Sequence, residues 1–231
     1  MTLPRRAALA AAALGAALVL AACTGGSDEP ERSAEEVLAA AKANLDETSG
    51  VELTLATEEL PTGIDGILRA EGVGTHDPAF EGDLKVRIGG VEFDVPVVAA
   101  EGTLFAKLPF TTEFAEVNPA DYSAPDPAQL MAEEGGLSSL LSSAEDVERG
   151  EQVRSGEDVL SGYAGTVPGE TLAGIIPSAS AEDDFDATFT IDDTDRVREA
   201  GFTGQFYPGS EDVTYTVTFD AYDVTADITL P

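Results

Sequence analysis

Cysteine, histidine and positive charge are all scarce in this chain. One cysteine, Cys23, and one histidine, His76, occur in 231 residues, and 12 Lys and Arg face 44 Asp and Glu. A single cysteine excludes any intrachain disulfide. A single histidine leaves a Ser-His-acid hydrolase one place for its base; "GTHDPAF" sets His76 in a turn after a strand, and the hydrolase would need a nucleophilic serine near it. No G-x-S-x-G elbow occurs, and "GGLSSLLSS" reads as an amphipathic helix. The patterns H-E-x-x-H and C-x-x-C are missing, as are phosphate-cradling glycine loops, so no metal site and no cofactor is expected. "DDTD", Asp192 to Asp195, lacks the glycine and distal glutamate of a calcium loop and reads as a solvated hairpin turn. A net charge of -32 repels phosphates, which excludes nucleic acid as a partner.

The one cysteine has an informative neighbourhood. Arg5 and Arg6 precede residues 7–22, which are nothing but Ala, Leu, Val and one Gly. These are the positive and apolar regions of a secretory signal peptide. The run would rise about 24 Å as a helix, short of the ~30 Å hydrocarbon core of a bilayer, and is a poor permanent span. Leu20-Ala21-Ala22-Cys23 is similar to a bacterial lipobox, in which the cysteine sulfur receives a diacylglycerol and becomes the first residue. The alternative is an ordinary signal peptide cut beside a chance cysteine; the small residues before Cys23 and the polar stretch after it favour the lipobox. The expected organisation is a lipoprotein signal peptide over 1–22, lipidated Cys23 with a tether over 23–32, and a folded domain over 33–231. Residues 24–32, "TGGSDEPER", would reach about 30 Å when extended. Two acyl chains on Cys23 would hold the domain at the outer face of the cell membrane. The paired arginines leave the export route open between threading unfolded and crossing folded.

A hydrophobic share of 43% and long alternating runs argue for folding rather than disorder. Ser33 and Glu36 have capping-box spacing, which predicts a helix through about Asp46 with Val37, Leu38, Ala41 and Leu45 on one stripe. From Val51 the period becomes two. Gly89-Gly90 predicts a hairpin that pairs Ile88 with Val91, Val86 with Phe93 and Leu84 with Val95. On its other face Arg87 meets Glu92 and Lys85 meets Asp94, and a slipped register would destroy both patterns. A turn at Glu101-Gly102 would add a third strand, pairing Ala99 with Leu104, Val97 with Ala106 and Val95 with Leu108. Alternation marks further strands over 184–191 and 213–219, with weaker candidates over 51–60, 67–75, 147–154, 158–167, 197–204 and 222–229. Helices are expected near 126–132, 136–143 and 169–175. The fold class is therefore α+β, one domain in which an antiparallel meander carries a few helices on one face. Between Pro109 and Pro127 a proline-punctuated loop carries Phe110, Phe114 and Tyr122, and is either an irregular crossover or a gate. Periodicity leaves open whether the helices close over the apolar face as a filled core or leave a cavity.

Residues 93–141, "FDVPVVAAEGTLFAKLPFTTEFAEVNPADYSAPDPAQLMAEEGGLSSLL", resemble the LppX/LprAFG lipoproteins of mycobacteria. The resemblance extends more weakly to "GEDVLSGYAGTVPGETL" and to the closing "YTVTFDAYDVTADITLP". It implies a strongly curved antiparallel sheet, a half-barrel, backed by helices around an apolar cavity. It also implies a non-enzymatic protein that binds acylated lipids or glycolipids and carries them across the cell envelope, with a membrane transporter as partner. On that reading Leu84, Val86, Ile88, Phe93, Val95, Val97, Ala106 and Leu108 would form the sheet wall of the cavity, and Leu130, Leu137, Leu140 and Leu141 its helix side. The polar head group would sit at the mouth, near the Pro109–Pro127 loop. Two other classes remain open from the residues: an envelope lipoprotein of the same fold with a filled core, acting through protein–protein contacts, and a lipid hydrolase centred on His76.

Overall fold

The structure, a computed structural model, describes residues 32–156 and 158–231. The signal peptide, Cys23 and most of the tether lie outside the described residues. Arg32–Pro231 form one compact unit.

The first helix, α1 (Ala34–Glu47), begins where the capping box places it. Ser33 Oγ accepts from the Glu36 N–H at 3.2 Å, and the Glu36 carboxylate accepts from the Ser33 N–H at 2.8 Å. Two otherwise unpaired donors are satisfied at once. Val37, Leu38, Ala41 and Leu45 are all buried, as one apolar stripe must be if the helix lies on a sheet.

Eleven strands follow in one antiparallel sheet: β1 (Gly50–Ala56), β2 (Gly66–Thr75), β3 (Ala79–Ile88), β4 (Val91–Ala100), β5 (Thr103–Ala106) and β6 (Ala115–Val117), then β7 (Glu145–Ser155), β8 (Asp158–Val167), β9 (Phe185–Ile191), β10 (Val197–Gly204) and β11 (Val213–Tyr222). Their spatial order is β6-β5-β4-β3-β2-β1-β11-β10-β9-β8-β7. The chain thus starts in the middle of the sheet and zigzags out to one edge at β6. It then crosses to the opposite edge at β7 and zigzags back until β11 pairs with β1. The crossing segment, residues 118–144, carries two 3-10 turns (Pro119–Tyr122 and Pro127–Gln129) and helix α2 (Leu137–Ser143). Helix α3 (Gly169–Ile175) links β8 to β9.

The sheet is curved and unclosed, with β6 and β7 as its free edges. Register shifts in the β1–β11, β2–β3, β9–β10 and β7–β8 ladders add local twist. A glycine pair tightens the bend between β2 and β3, where Gly72 faces Gly82. A Cβ on Gly82 would lie 2.1 Å from the Glu71 carbonyl oxygen, and one on Gly72 would lie 2.3 Å from that of Glu81. The two backbones approach more closely than any side chain permits.

The hairpin predicted at Gly89-Gly90 has the expected register, with Ile88 opposite Val91, Val86 opposite Phe93 and Leu84 opposite Val95. Both glycines take positive φ, 60° and 79°, as a tight hairpin turn requires. Lys85 meets Asp94 at 2.8 Å on the outer face. The third strand pairs Ala99 with Leu104 and Val97 with Ala106, but the ladder stops before Val95 and Leu108. Prolines on both sides of the ladder, Pro96 and Pro109, are the reason. Lys107 N–H donates to Pro96 O at 2.9 Å, and proline has no N–H to return the bond.

Three other expectations need correction. The strand expected over 222–229 is absent, because β1 has no residues left to pair with it. The last bond runs from Val224 N–H to Gly50 O, and Asp223 breaks the extended run at φ 58°. The helix expected near 126–132 is a single 3-10 turn opened by Pro127 and capped by the Asp126 carboxylate. The strand expected over 51–60 ends at Ala56. The short strand β6 was not anticipated; it lies inside the Pro109–Pro127 loop and pairs Ala115 with Ala106.

Candidate functional site

The two halves of the inner sheet face are covered differently. Over β9, β10 and β11 the core is filled: Phe185 meets Phe206 edge-on at 4.9 Å, Phe206 meets Tyr215 at 4.8 Å, and Phe189 meets Phe202 at 6.0 Å. Helices α1, α2 and α3 join this core through Leu38, Leu45, Leu141 and Leu172. A gap of about 10 Å³ remains beside Leu45 and Phe189. Between β1 to β6 and the crossing segment a hollow opens, reaching as far as Phe202, Tyr215 and Val217. Its cavity volume is about 240 Å³, and it opens to solvent at one mouth.

The wall of this hollow is built from alternating strand residues on one side and crossover residues on the other. Asp65 and Arg87 are the charged members of the lining. Both are engaged in tying the β3–β4 hairpin to the β1–β2 connection. Asp65 Oδ1 accepts from the Gly89 N–H at 2.8 Å, and Arg87 Nη1 donates to Leu60 O at 3.2 Å. Tyr215 presents its ring to the hollow while its hydroxyl donates to Ile67 O at 2.6 Å and lies 3.0 Å from the Tyr207 hydroxyl. Burial pushes the pKa of both phenols up, Tyr215 the further, so they stay neutral donors at physiological pH. What is left facing the empty space is almost wholly hydrocarbon.

Of the twelve candidate cavity residues, the fold brings ten together around this one space: Leu84, Val86, Ile88, Val95, Val97, Ala106, Leu108, Leu130, Leu137 and Leu140. Phe93 and Leu141 stand outside it. Phe93 shares a face with Val86, but it lies where the sheet ends and packs edge-on against Phe110, ring centroids 5.8 Å apart. Leu141 is turned about 100° from Leu140 around α2, as helix geometry demands. It therefore faces α1 and the small gap beside Leu45 and Phe189. Lining residues missed from sequence include Leu53 and Leu55 on β1, Phe80 on β3, Leu104 on β5, and Leu172 and Ile175 on α3. Period-two alternation on β1 and the i, i+3 spacing on α3 were the available signals. The loop between Pro109 and Pro127 also contributes, through Pro109, Val117, Pro119, Tyr122, Ala124 and Pro125.

The residues weighed for other chemistry are occupied elsewhere. His76 Nε2 lies 2.9 Å from Leu45 O and ties the β2–β3 turn to the end of α1. Asp192 Oδ1 accepts from Thr194 N–H, Thr194 Oγ1–H and Arg196 N–H, while Asp195 holds Arg32 through two bonds of 2.6 and 2.7 Å. These carboxylates brace a hairpin turn. Among the described residues no group of three or more His, Cys, Asp or Glu could hold a metal ion, and no helix is long and apolar enough to cross a membrane.

A helix-backed, unclosed antiparallel half-barrel with an apolar hollow under one half defines a class of cup-shaped domain. The chain belongs to the LppX_LprAFG lipoprotein family, whose model matches residues 33–230. It is similar to the lipoarabinomannan carrier protein LprG of Mycobacterium tuberculosis (strain H37Rv), 26% identical over 194 residues that span 82% of this chain and 81% of that protein. Its fold is that of LprF from Mycobacterium bovis, with a TM-score of 0.68 at 14% identity over 86% of this chain and 96% of that one. The lipoprotein LppX of Mycobacterium tuberculosis follows, with a TM-score of 0.60 at 16% identity over 85% of this chain and all of that one.

Proposed function

We propose that this chain is a membrane-anchored lipoprotein that shelters the acyl chains of a lipid or glycolipid in the hollow and carries them across the cell envelope. The observation that carries the reading is a 240 Å³ hollow lined by hydrocarbon, with its charged members tied into the fold rather than aimed at a substrate. A dry apolar cavity of about 150 Å³ is enough to hold a benzene ring, so by proportion this one takes about ten methylene-sized groups. At about 0.8 kcal/mol each, their gross burial is about 8 kcal/mol before the cost of association. No catalytic group is needed for that. Membership of a lipoprotein family and similarity to a protein named as a lipoarabinomannan carrier support the same reading.

In this reading Cys23 carries the acyl anchor, residues 24–32 are the tether, and the domain works at the outer face of the cell membrane, where a transporter is its partner. The test is mass spectrometry of organic extracts from the purified, non-acylated protein, together with uptake of a fluorescent acyl probe. Co-purifying lipid and saturable uptake are expected. Absence of both would favour an envelope protein that acts through protein contacts instead. Replacing Cys23 by Ala should release the protein from membranes, and continued retention would show that the anchor is elsewhere.

A further inference from the structure

The opening of the hollow is bordered by side chains that a water-facing surface does not favour. Ile88 lines the hollow and is nevertheless 46% exposed, so it sits at the opening. Its partner across the hairpin, Val91, is 54% exposed. Pro109 also lines the hollow, and Phe110 beside it is 97% exposed. The edge-on contact with Phe93 ties Phe110 to the same hairpin.

Phe110 is held there at a conformational cost. Thr111 N–H donates to Leu108 O at 3.1 Å across Pro109 and Phe110, and Phe110 has φ 68°. Proline at the second position and positive φ at the third make this a type II turn, whose third position favours glycine or asparagine. A bulky aromatic residue in that conformation is an outlier. Here it is also almost wholly exposed, so no buried contact compensates the strain.

We propose that Phe110, Ile88 and Val91 form a docking tip that inserts into the interfacial hydrocarbon of a lipid bilayer and sets the mouth of the hollow against the membrane. The proposal rests on the reading of the hollow as an acyl-chain site. A bilayer is the occupant that fits. Three side chains at a loop tip fall far short of the roughly 800 Å² per partner of a stable protein interface. A second copy of a chain with net charge -32 is also repelled electrostatically. An apolar tip needs no such area in hydrocarbon, and its continuity with the hollow would give an acyl chain a path that avoids water.

The chain has no tryptophan, so a single introduced one reports only its own surroundings. Residues 23–231 carrying Cys23→Ala, which include the whole compact unit, are made with either Phe110→Trp or Val153→Trp. Val153 lies on β7, 56% exposed, at the opposite edge of the sheet. Phosphatidylcholine vesicles should blue-shift the emission at position 110, and brominated phosphatidylcholine should quench it, with neither effect at 153. Equal responses at both positions, or none at 110, would overturn the proposal. So would a blue shift at 110 that grows with protein concentration in the absence of vesicles, which would mark a second copy as the occupant. Phe110→Gly suits the turn and should melt no lower than the parent. It should take up an acyl probe in solution as the parent does, yet bind vesicles about tenfold more weakly. Unchanged vesicle binding by this variant would also sink the idea. Failure of the parent to take up the probe counts against the carrier reading alone, because the response at position 110 is read without any cargo.

Discussion

Val95→Trp offers the sharpest test of the hollow as a binding space. Val95 lies on β4 opposite Leu84, 6% exposed, with its side chain in the wall. Tryptophan adds about seven non-hydrogen atoms in the direction of the empty volume, against the roughly ten methylene-sized places available. Full displacement would forfeit about 5–6 kcal/mol of acyl burial at ~0.8 kcal/mol per methylene. A ligand that shifts toward the mouth and recovers half of this still loses about 3 kcal/mol, which is about a hundredfold in Kd. The fold itself should be nearly indifferent, because the indole enters space rather than displacing neighbours and avoids most of the ~1–3 kcal/mol typical of overpacking. The assay is titration with a fluorescent long-chain acyl probe, beside a thermal melt and far-UV circular dichroism. A Val95→Trp protein that melts like the parent and binds the probe with unchanged affinity would refute the assignment of the hollow.

Three further outcomes follow from the geometry. Gly82→Ala sets a methyl group against the Glu71 carbonyl and should destabilise the domain by about 2–3 kcal/mol, lowering Tm by about 5 °C or more in a calorimetric scan. Ser33→Ala removes one half of the α1 capping box and should cost about 1 kcal/mol, or about 2–4 °C in the same scan. Burial pushes the phenol pKa of Tyr207, Tyr215 and Tyr222 up, while unfolded tyrosine ionises near pH 10. Above about pH 10 the folded state therefore binds more protons than the unfolded state, and stability falls as pH rises. In an alkaline titration, the tyrosinate absorbance that is lost on Tyr215→Phe or Tyr222→Phe should appear in the parent only with unfolding; its appearance in a folded protein would contradict the burial.

The parts of the fold that were legible from sequence are those set by neighbours along the chain. The α1 cap, its four-residue stripe and the Gly89-Gly90 hairpin all depend on spacings of a few residues, and each appears in the predicted register. The errors arise where a distant partner decides. The run after Asp223 alternates well enough to suggest a strand, but it has no strand to pair with. Val95 and Leu108 are in register, yet the N–H groups missing at Pro96 and Pro109 end their ladder. The hollow was legible only in part. Alternation identified which face of β3 and β4 is apolar and so found most of that wall. It could not show that the core is filled over β9 and β10 while a hollow remains between β1 to β6 and the crossing segment. That difference depends on where residues 118–144 travel, which has no periodicity. Resemblance to the family, rather than patterning, suggested a cavity.

The seam between β1 and β11 bears on the order in which the molecule becomes usable. Every other ladder joins strands adjacent in sequence, whereas Val51 waits for Tyr222. Loop closure over that span is slow compared with zipping a hairpin. In a chain delivered unfolded with its N-terminus first, β1 to β6 emerge early, but Phe202, Tyr215 and Val217, which complete the hollow, are among the last residues to arrive. Until they do, the cup has a wall and no inside. Whatever the hollow holds can be held only once that last strand has paired, so the complete site and the complete fold arrive together.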